Sequence, residues 1–143
     1  MFMKEWFSSS LNKPIGFEDV KMVILSFRSV DSKRNTLINT LSYSEQDCLI
    51  QGTLSFEKEE TVINQWLDKY EMNTNIILYG KNSADDSVQK KQKQLVSLGF
   101  TKVYVYSGGL FEWLLLQDIY GKDEFPTTTP CSDLLKYRQP TSL

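Results

Sequence analysis

The stretch "NIILYGKNSADDSVQKKQKQLVSLGFTKVYVYSGGLFEW", Asn75 to Trp113, decides how the chain is read. Its opening, "NIILY", is a short apolar run, the pattern of a strand covered on both faces. A polar loop follows, with Gly80 at its start and Asp85 and Asp86 near its end. "SVQKKQKQLVSLG" reads as a helix, with Gly99 where a C-terminal glycine belongs. "TKVYVYS" is a second strand with apolar or aromatic residues on both faces. "GGLFEWLLLQDIYG" is a buried helix opened by Gly108 and Gly109 and closed near Gly121. Strands alternating with helices argue for a parallel sheet with helices on its faces. In such sheets reactive groups gather at the strand ends, and here that place holds Gly80.

Upstream, "SFEKEETVINQWLDKYEMN" is an amphipathic helix: Val62, Ile63, Trp66, Leu67 and Tyr70 fall on one stripe. Acidic residues cluster in its first turns, as the helix dipole prefers. "DCLIQGTLS" predicts a short strand around Cys48 to Ile50, stopped by Gly52. "DSKRNTLINTLSYSEQ" has few apolar anchors and reads as a loop with a short helix. "KMVILSFRS" contains a near-continuous apolar run, Met22 to Phe27, which predicts another doubly covered strand. Residues 1–14 form an N-terminal extension in which Phe2, Trp6 and Phe7 show no clear period. These aromatics pack on the domain or anchor a partner. The body spans 15–122. Residues 123–143 hold three of the four prolines and read as an extended tail laid over the domain or over a partner.

The chain has 143 residues, the size of one domain. Charged residues make up 24% and the net charge is −2, so no strong field attracts nucleic acid or an anionic membrane. No run approaches the ~18 apolar residues that span a bilayer. The first residues lack the apolar core of a signal peptide. Two cysteines, Cys48 and Cys131, fit reduced thiols, and a cytoplasmic location is the expectation. The chain has no histidine. Ser-His-Asp and Cys-His activation are therefore excluded within it. So are His-containing zinc sites, and two cysteines cannot make a Cys₄ site. No metal and no cofactor is expected, and acid–base work would fall to Asp, Glu, Lys, Tyr or Cys.

From Asn75 to Trp113 the chain resembles the rhodanese-like superfamily. The matching residues are "IILYG", "LVSLGF", "VYVYSGG" and Trp113. Looser matches are "VILSFRS", where the family has a strand ending in an Asp-x-Arg turn, and "LIQGTL", where it has a His-Ile-x-Gly-Ala segment. The resemblance covers about residues 15–120. It implies an α/β, three-layer fold: a central, mostly parallel sheet with helices on both faces. The chain is also similar to the rhodanese-like proteins of large DNA viruses, which implies a structural or assembly role in a virion as one expectation.

Active members carry a thiolate at the strand end, inside a loop of backbone N–H groups that cradles an anion. By the resemblance that nucleophile position is Gly80, which has no side chain to react. The loop glycine falls near Ser83, and the basic position at Asp85 or Asp86, where a carboxylate repels an anionic donor. Ser26 takes the place of the turn's Asp, Arg28 remains, and the upstream His is Cys48 or Leu49. Asp86, followed by Gln89, also fits a capping box, which would occupy the N–H groups that otherwise receive an anion. Gly80, Lys81, Asn82, Ser83, Ala84, Asp85 and Asp86 thus read as a degenerate active-site loop. The expectation is a non-enzymatic binding or scaffold module, with that loop, Arg28, Phe2, Trp6 and Phe7 as candidate contacts for a protein partner or a second copy. Two other readings stay open: a sulfurtransferase or thiol-redox enzyme using Cys131 or Cys48, and acid–base chemistry by Asp85, Asp86, Tyr79 or Ser83.

Overall fold

The computed structural model describes residues 14–29 and 35–142. Four strands, β1 (Pro14–Ile15), β2 (Asn35–Asn39), β3 (Asn75–Tyr79) and β4 (Val103–Tyr106), form one sheet in the order β1-β4-β3-β2. All neighbours are parallel. The helices are α1 (Phe17–Ser26), α2 (Phe56–Asp68), α3 (Ser87–Ser97) and α4 (Gly109–Tyr120), with 3-10 turns at Tyr43–Glu45 and Leu134–Tyr137.

Alternation along the strands sorts two cores, as a period of two requires. Ile38, Ile76, Leu78, Val103 and Val105 pack with Ile63 and Trp66 of α2 and Val88 and Leu95 of α3. Leu37, Ile77, Tyr79 and Tyr106 pack on the other face with Val20 of α1 and Leu110, Trp113 and Leu114 of α4. Helices on both faces of a parallel sheet are the three-layer arrangement expected. Gly99 follows α3 with φ +110, a conformation that suits glycine.

The tail lies on the domain. Phe125 and Tyr137 are 3% and 1% exposed and belong to the second core. Trp113 Nε1 donates to the Pro126 carbonyl at 3.0 Å, and Gln117 Nε2 to that of Phe125 at 2.7 Å. These bonds satisfy two polar groups that burial would otherwise penalise.

Four local expectations are corrected. Met22–Phe27 is not a strand: it is the second half of α1 and its exit. Val20, Val23 and Ile24 face the core, while Met22 and Leu25 are 68% and 60% exposed. Helical spacing thus splits a run that looked uniformly buried. The strand lies instead in the polar segment read as loop, at Asn35–Asn39, where only Leu37 and Ile38 are apolar. Asn35 and Asn39 are held by side-chain bonds to Asn75 and Gln46. Cys48–Ile50 is not a strand either: Ile50 makes an isolated antiparallel bridge to Thr127 of the tail. Tyr70 also leaves the helical stripe, since α2 ends at Asp68 and Tyr70 is 86% exposed.

Candidate functional site

Gly80 directly follows β3 at the carboxyl edge of the sheet, and the loop to α3 runs from there to Asp86. Several of its backbone donors are taken up within the chain. Asp85 accepts from Lys81 N at 2.9 Å through Oδ2, and from Ser87 N and Ser87 Oγ at 3.0 and 2.7 Å through Oδ1. Asn82 Oδ1 accepts from Ala84 N at 2.9 Å, and the Asn82 carbonyl from Asp85 N at 3.2 Å. The Lys81, Ala84, Asp85 and Ser87 amides, in the position of an anion cradle, therefore point at the protein's own oxygens. Partial burial pushes the Asp85 carboxyl up, but the bonds from Lys81 and Ser87 together outweigh it and hold it below the usual carboxylate value.

The capping expectation is corrected in detail. Asp86 makes no side-chain cap bond; its carboxylate is 83% exposed and lies 3.7 Å from Lys90 Nζ. The residue before it does the work, because Asp85 is placed to reach back to Lys81 and forward to Ser87. This arrangement fills the space beside Gly80. A Cβ on Gly80 would lie 2.5 Å from Val88 Cγ2 and 2.7 Å from Asp85 Oδ2.

The start of α4 closes the other side. Leu110 N donates to the Gly80 carbonyl at 2.9 Å and Phe111 N to that of Lys81 at 3.0 Å. The approach requires Gly109: its φ is +69, and a Cβ there would lie 2.9 Å from Asn82 N and 3.0 Å from Gly80 O.

Lys81 does not neutralise the two aspartates by itself. It is half-buried and its Nζ pairs with Glu45 Oε2 at 2.8 Å. Hydrogen bonds from Lys81 and Ser42 hold the Glu45 carboxyl below its ordinary value. Asn82 is buried, and its Nδ2 donates to the Tyr137 and Arg138 carbonyls at 3.0 and 3.2 Å. Gln139 Nε2 donates to Ser83 Oγ. The C-terminal segment is thus a strap across the loop. Ser83, Ala84 and Asp86 remain on the surface.

Not every candidate meets here. Arg28 is not at a strand end beside the loop: it follows α1, whose Ser26 Oγ accepts from Asn35 Nδ2 at the beginning of β2. It therefore sits at the opposite edge of the sheet. The strand end that registers with Tyr79 is Asn39, not Ser26. Phe2, Trp6 and Phe7 lie outside the described residues. The Tyr79 hydroxyl accepts from Ile50 N at 3.1 Å and meets Thr53 Oγ1 at 2.7 Å, and full burial pushes its ionisation well up. It does not join Asp85, Asp86 or Ser83. Glu45 was missed by sequence reasoning, and so were the strap contacts of Asn82. No local pattern announces them, because they join segments remote in the chain. Among the described residues no group of three His, Cys, Asp or Glu could hold a metal ion, and no helix is long and apolar enough to cross a membrane.

A parallel sheet with a loop folded around its strand end, and a glycine pair opening α4 beside it, defines the class: an α/β domain whose site sits at a β3–α3 loop. A sequence model of the rhodanese-like domain matches residues 11–116, and the chain belongs to that family. Solved structures agree in fold. A Lactobacillus plantarum protein superimposes with a TM-score of 0.61 at 15% identity, covering 91% of this chain and 100% of its own. An Anabaena protein gives 0.54 at 22%, covering 85% and 97%. A yeast protein described as a tyrosine phosphatase of the rhodanese family gives 0.57 at 15%, covering 90% and 98%. The comparison with curated proteins returns no match.

Proposed function

We propose that this rhodanese-like domain is non-catalytic and serves as a protein-binding module. One observation carries the reading: the Asp85 carboxylate accepts from Lys81 N, Ser87 N and Ser87 Oγ, where a bound anion would need those donors. Gly80 offers no nucleophile, and its missing side chain is matched by the packing of Asp85 and Val88 against it. Sulfur transfer by Cys48 gains no support, since burial pushes it up to about 11 and a reactive thiol needs the opposite shift. Ser83, Ala84 and Asp86 offer an accessible loop to a partner, braced by the strap beneath.

The test has two arms. Sulfur transfer from thiosulfate to cyanide, and hydrolysis of an aryl phosphate, should both stay at the buffer background. Turnover that disappears in Cys131→Ser or Cys48→Ser would sink the non-catalytic reading. Native purification should bring down a stoichiometric protein partner, lost in Ser83→Arg/Asp86→Arg. A partner retained by that variant would place the contact elsewhere.

A further inference from the structure

The two cysteines are far apart in sequence, yet the fold brings them together. Residues 47–51 and 126–129 run antiparallel. Ile50 bridges Thr127, Gln51 N donates to the Pro126 carbonyl at 3.0 Å, and Thr128 N donates to that of Leu49 at 2.8 Å. Thr129 Oγ1 donates to the Asp47 carbonyl at 2.8 Å. Cys48 Sγ lies 3.6 Å from the Thr129 carbonyl, and Cys131, two residues further on, is packed against the core cluster that contains Cys48. Cys131 is near enough to Cys48 that it helps, after burial, to push the Cys48 thiol up. They differ in access: Cys48 is buried and Cys131 is half-exposed. Cys131 also lines a surface cleft of about 320 Å³, shared with Gln117, Lys122 and Leu134. Lys122 places a cation in the wall of that cleft.

We propose that Cys48 and Cys131 form a thiol–disulfide site, oxidised by a low-molecular-weight disulfide of the glutathione type, whose closure fastens the C-terminal strap over the Gly80 loop. The Cys131 thiolate attacks one sulfur of the reagent, forming a mixed disulfide and releasing one thiolate. Cys48, having given its proton to solvent, then attacks the Cys131 sulfur. The Cys48–Cys131 bond forms and the second reagent thiolate leaves. Two protein thiols are oxidised, one external disulfide is reduced to two thiols, and the two protons lost by the protein end on those thiols. The raised Cys48 value makes the second step slow near neutrality and faster as pH rises. Ring closure joins residues far apart in the chain, the case in which a cross-link restricts the unfolded state most. This site is separate from the reading of the Gly80 loop and stands whether or not that loop binds a partner.

The experiment incubates the full chain with oxidised glutathione and follows intact mass and a non-reducing peptide map. Loss of two hydrogens, with the Cys48 peptide joined to the Cys131 peptide in a monomer, is the expected result. The oxidised form should melt several degrees higher than the reduced one, and reduction by dithiothreitol should reverse both changes. Cys131→Ser should remain unmodified, and Cys48→Ala should stop at the glutathione adduct on Cys131. A wild-type protein that keeps the adduct without resolving it, that cross-links only between chains, or that does not react, overturns the proposal. The wild-type peptide map decides even if Cys48→Ala fails to fold.

Discussion

Two helices begin at the same edge of the sheet, and they end their free N–H groups in different ways. At α4 the donors of Leu110 and Phe111 go to the backbone carbonyls of Gly80 and Lys81. At α3 the donors of Ser87, and of Lys81 across the loop, go to one carboxylate, Asp85. The first solution is rigid and independent of pH. It needs a glycine at 109, because only a residue without a Cβ lets the two backbones approach so closely. The second is made by a side chain, so one substitution or one proton can undo it. The lesson is that the same requirement, satisfying a helix start, leaves one half of the site fixed and the other half adjustable.

The comparison can be broken most severely at its rigid side. Gly109→Ala should cost about 2–4 kcal/mol, because it combines a left-handed φ with contacts at 2.9–3.0 Å to backbone atoms that cannot swing away. Urea denaturation measures this, and a cost below that of the Asp85 variants would reverse the ranking. Gly80→Cys comes next. Its Cβ meets Val88 and Asp85, side chains that can shift, so about 1–3 kcal/mol is expected, with no sulfur transfer gained. Adding Asp85→Ala should relieve part of the strain. The double-mutant cycle should then show a favourable coupling of roughly 0.5 kcal/mol or more.

Asp85→Ala alone should cost about 1–2 kcal/mol, the value of a lost cap that leaves amides unpaired. Its pH signature sharpens the contrast. The folded carboxyl titrates below the unfolded one. Its contribution is therefore complete above the unfolded value of about 4, and is lost as pH falls through the folded value. Asp85→Asn should flatten that acid limb, whereas the α4 start, tested in the same melts, should contribute no such slope. The smallest effect belongs to Asp86→Ala. An exposed carboxylate 3.7 Å from Lys90 should change stability by less than about 0.5 kcal/mol. A larger loss would return the capping role to Asp86.

The legible part of the chain was the part where burial and period agree. Asn75–Tyr79 and Val103–Tyr106 are paired in the middle of the sheet and covered on both faces, so their composition alone marks them. β2 is an edge strand with asparagines at both ends. Its polar residues are satisfied by Asn75 and Gln46, partners that composition does not show. Met22–Phe27 misled for the converse reason: Met22, Leu25 and Phe27 are apolar yet exposed, so the run looked more buried than it is. At the site, the glycine at the strand end and a carboxylate in the loop were both readable. Which aspartate turns inward was not, because the choice between Asp85 and Asp86 depends on a loop geometry that two adjacent identical residues do not encode.

The strap has a consequence for how the chain is made. Trp113 is wholly buried, and its indole N–H is answered by Pro126, while Gln117 waits for Phe125. During synthesis from the N-terminus, the sheet and α4 leave the ribosome before either acceptor does. Until residue 137 has emerged, the second core lacks Phe125 and Tyr137, and a wide apolar surface stays open to chaperones and proteases. The strap thus emerges after the elements it covers and closes the domain, so a chain whose strap has not yet left the ribosome is the more vulnerable form.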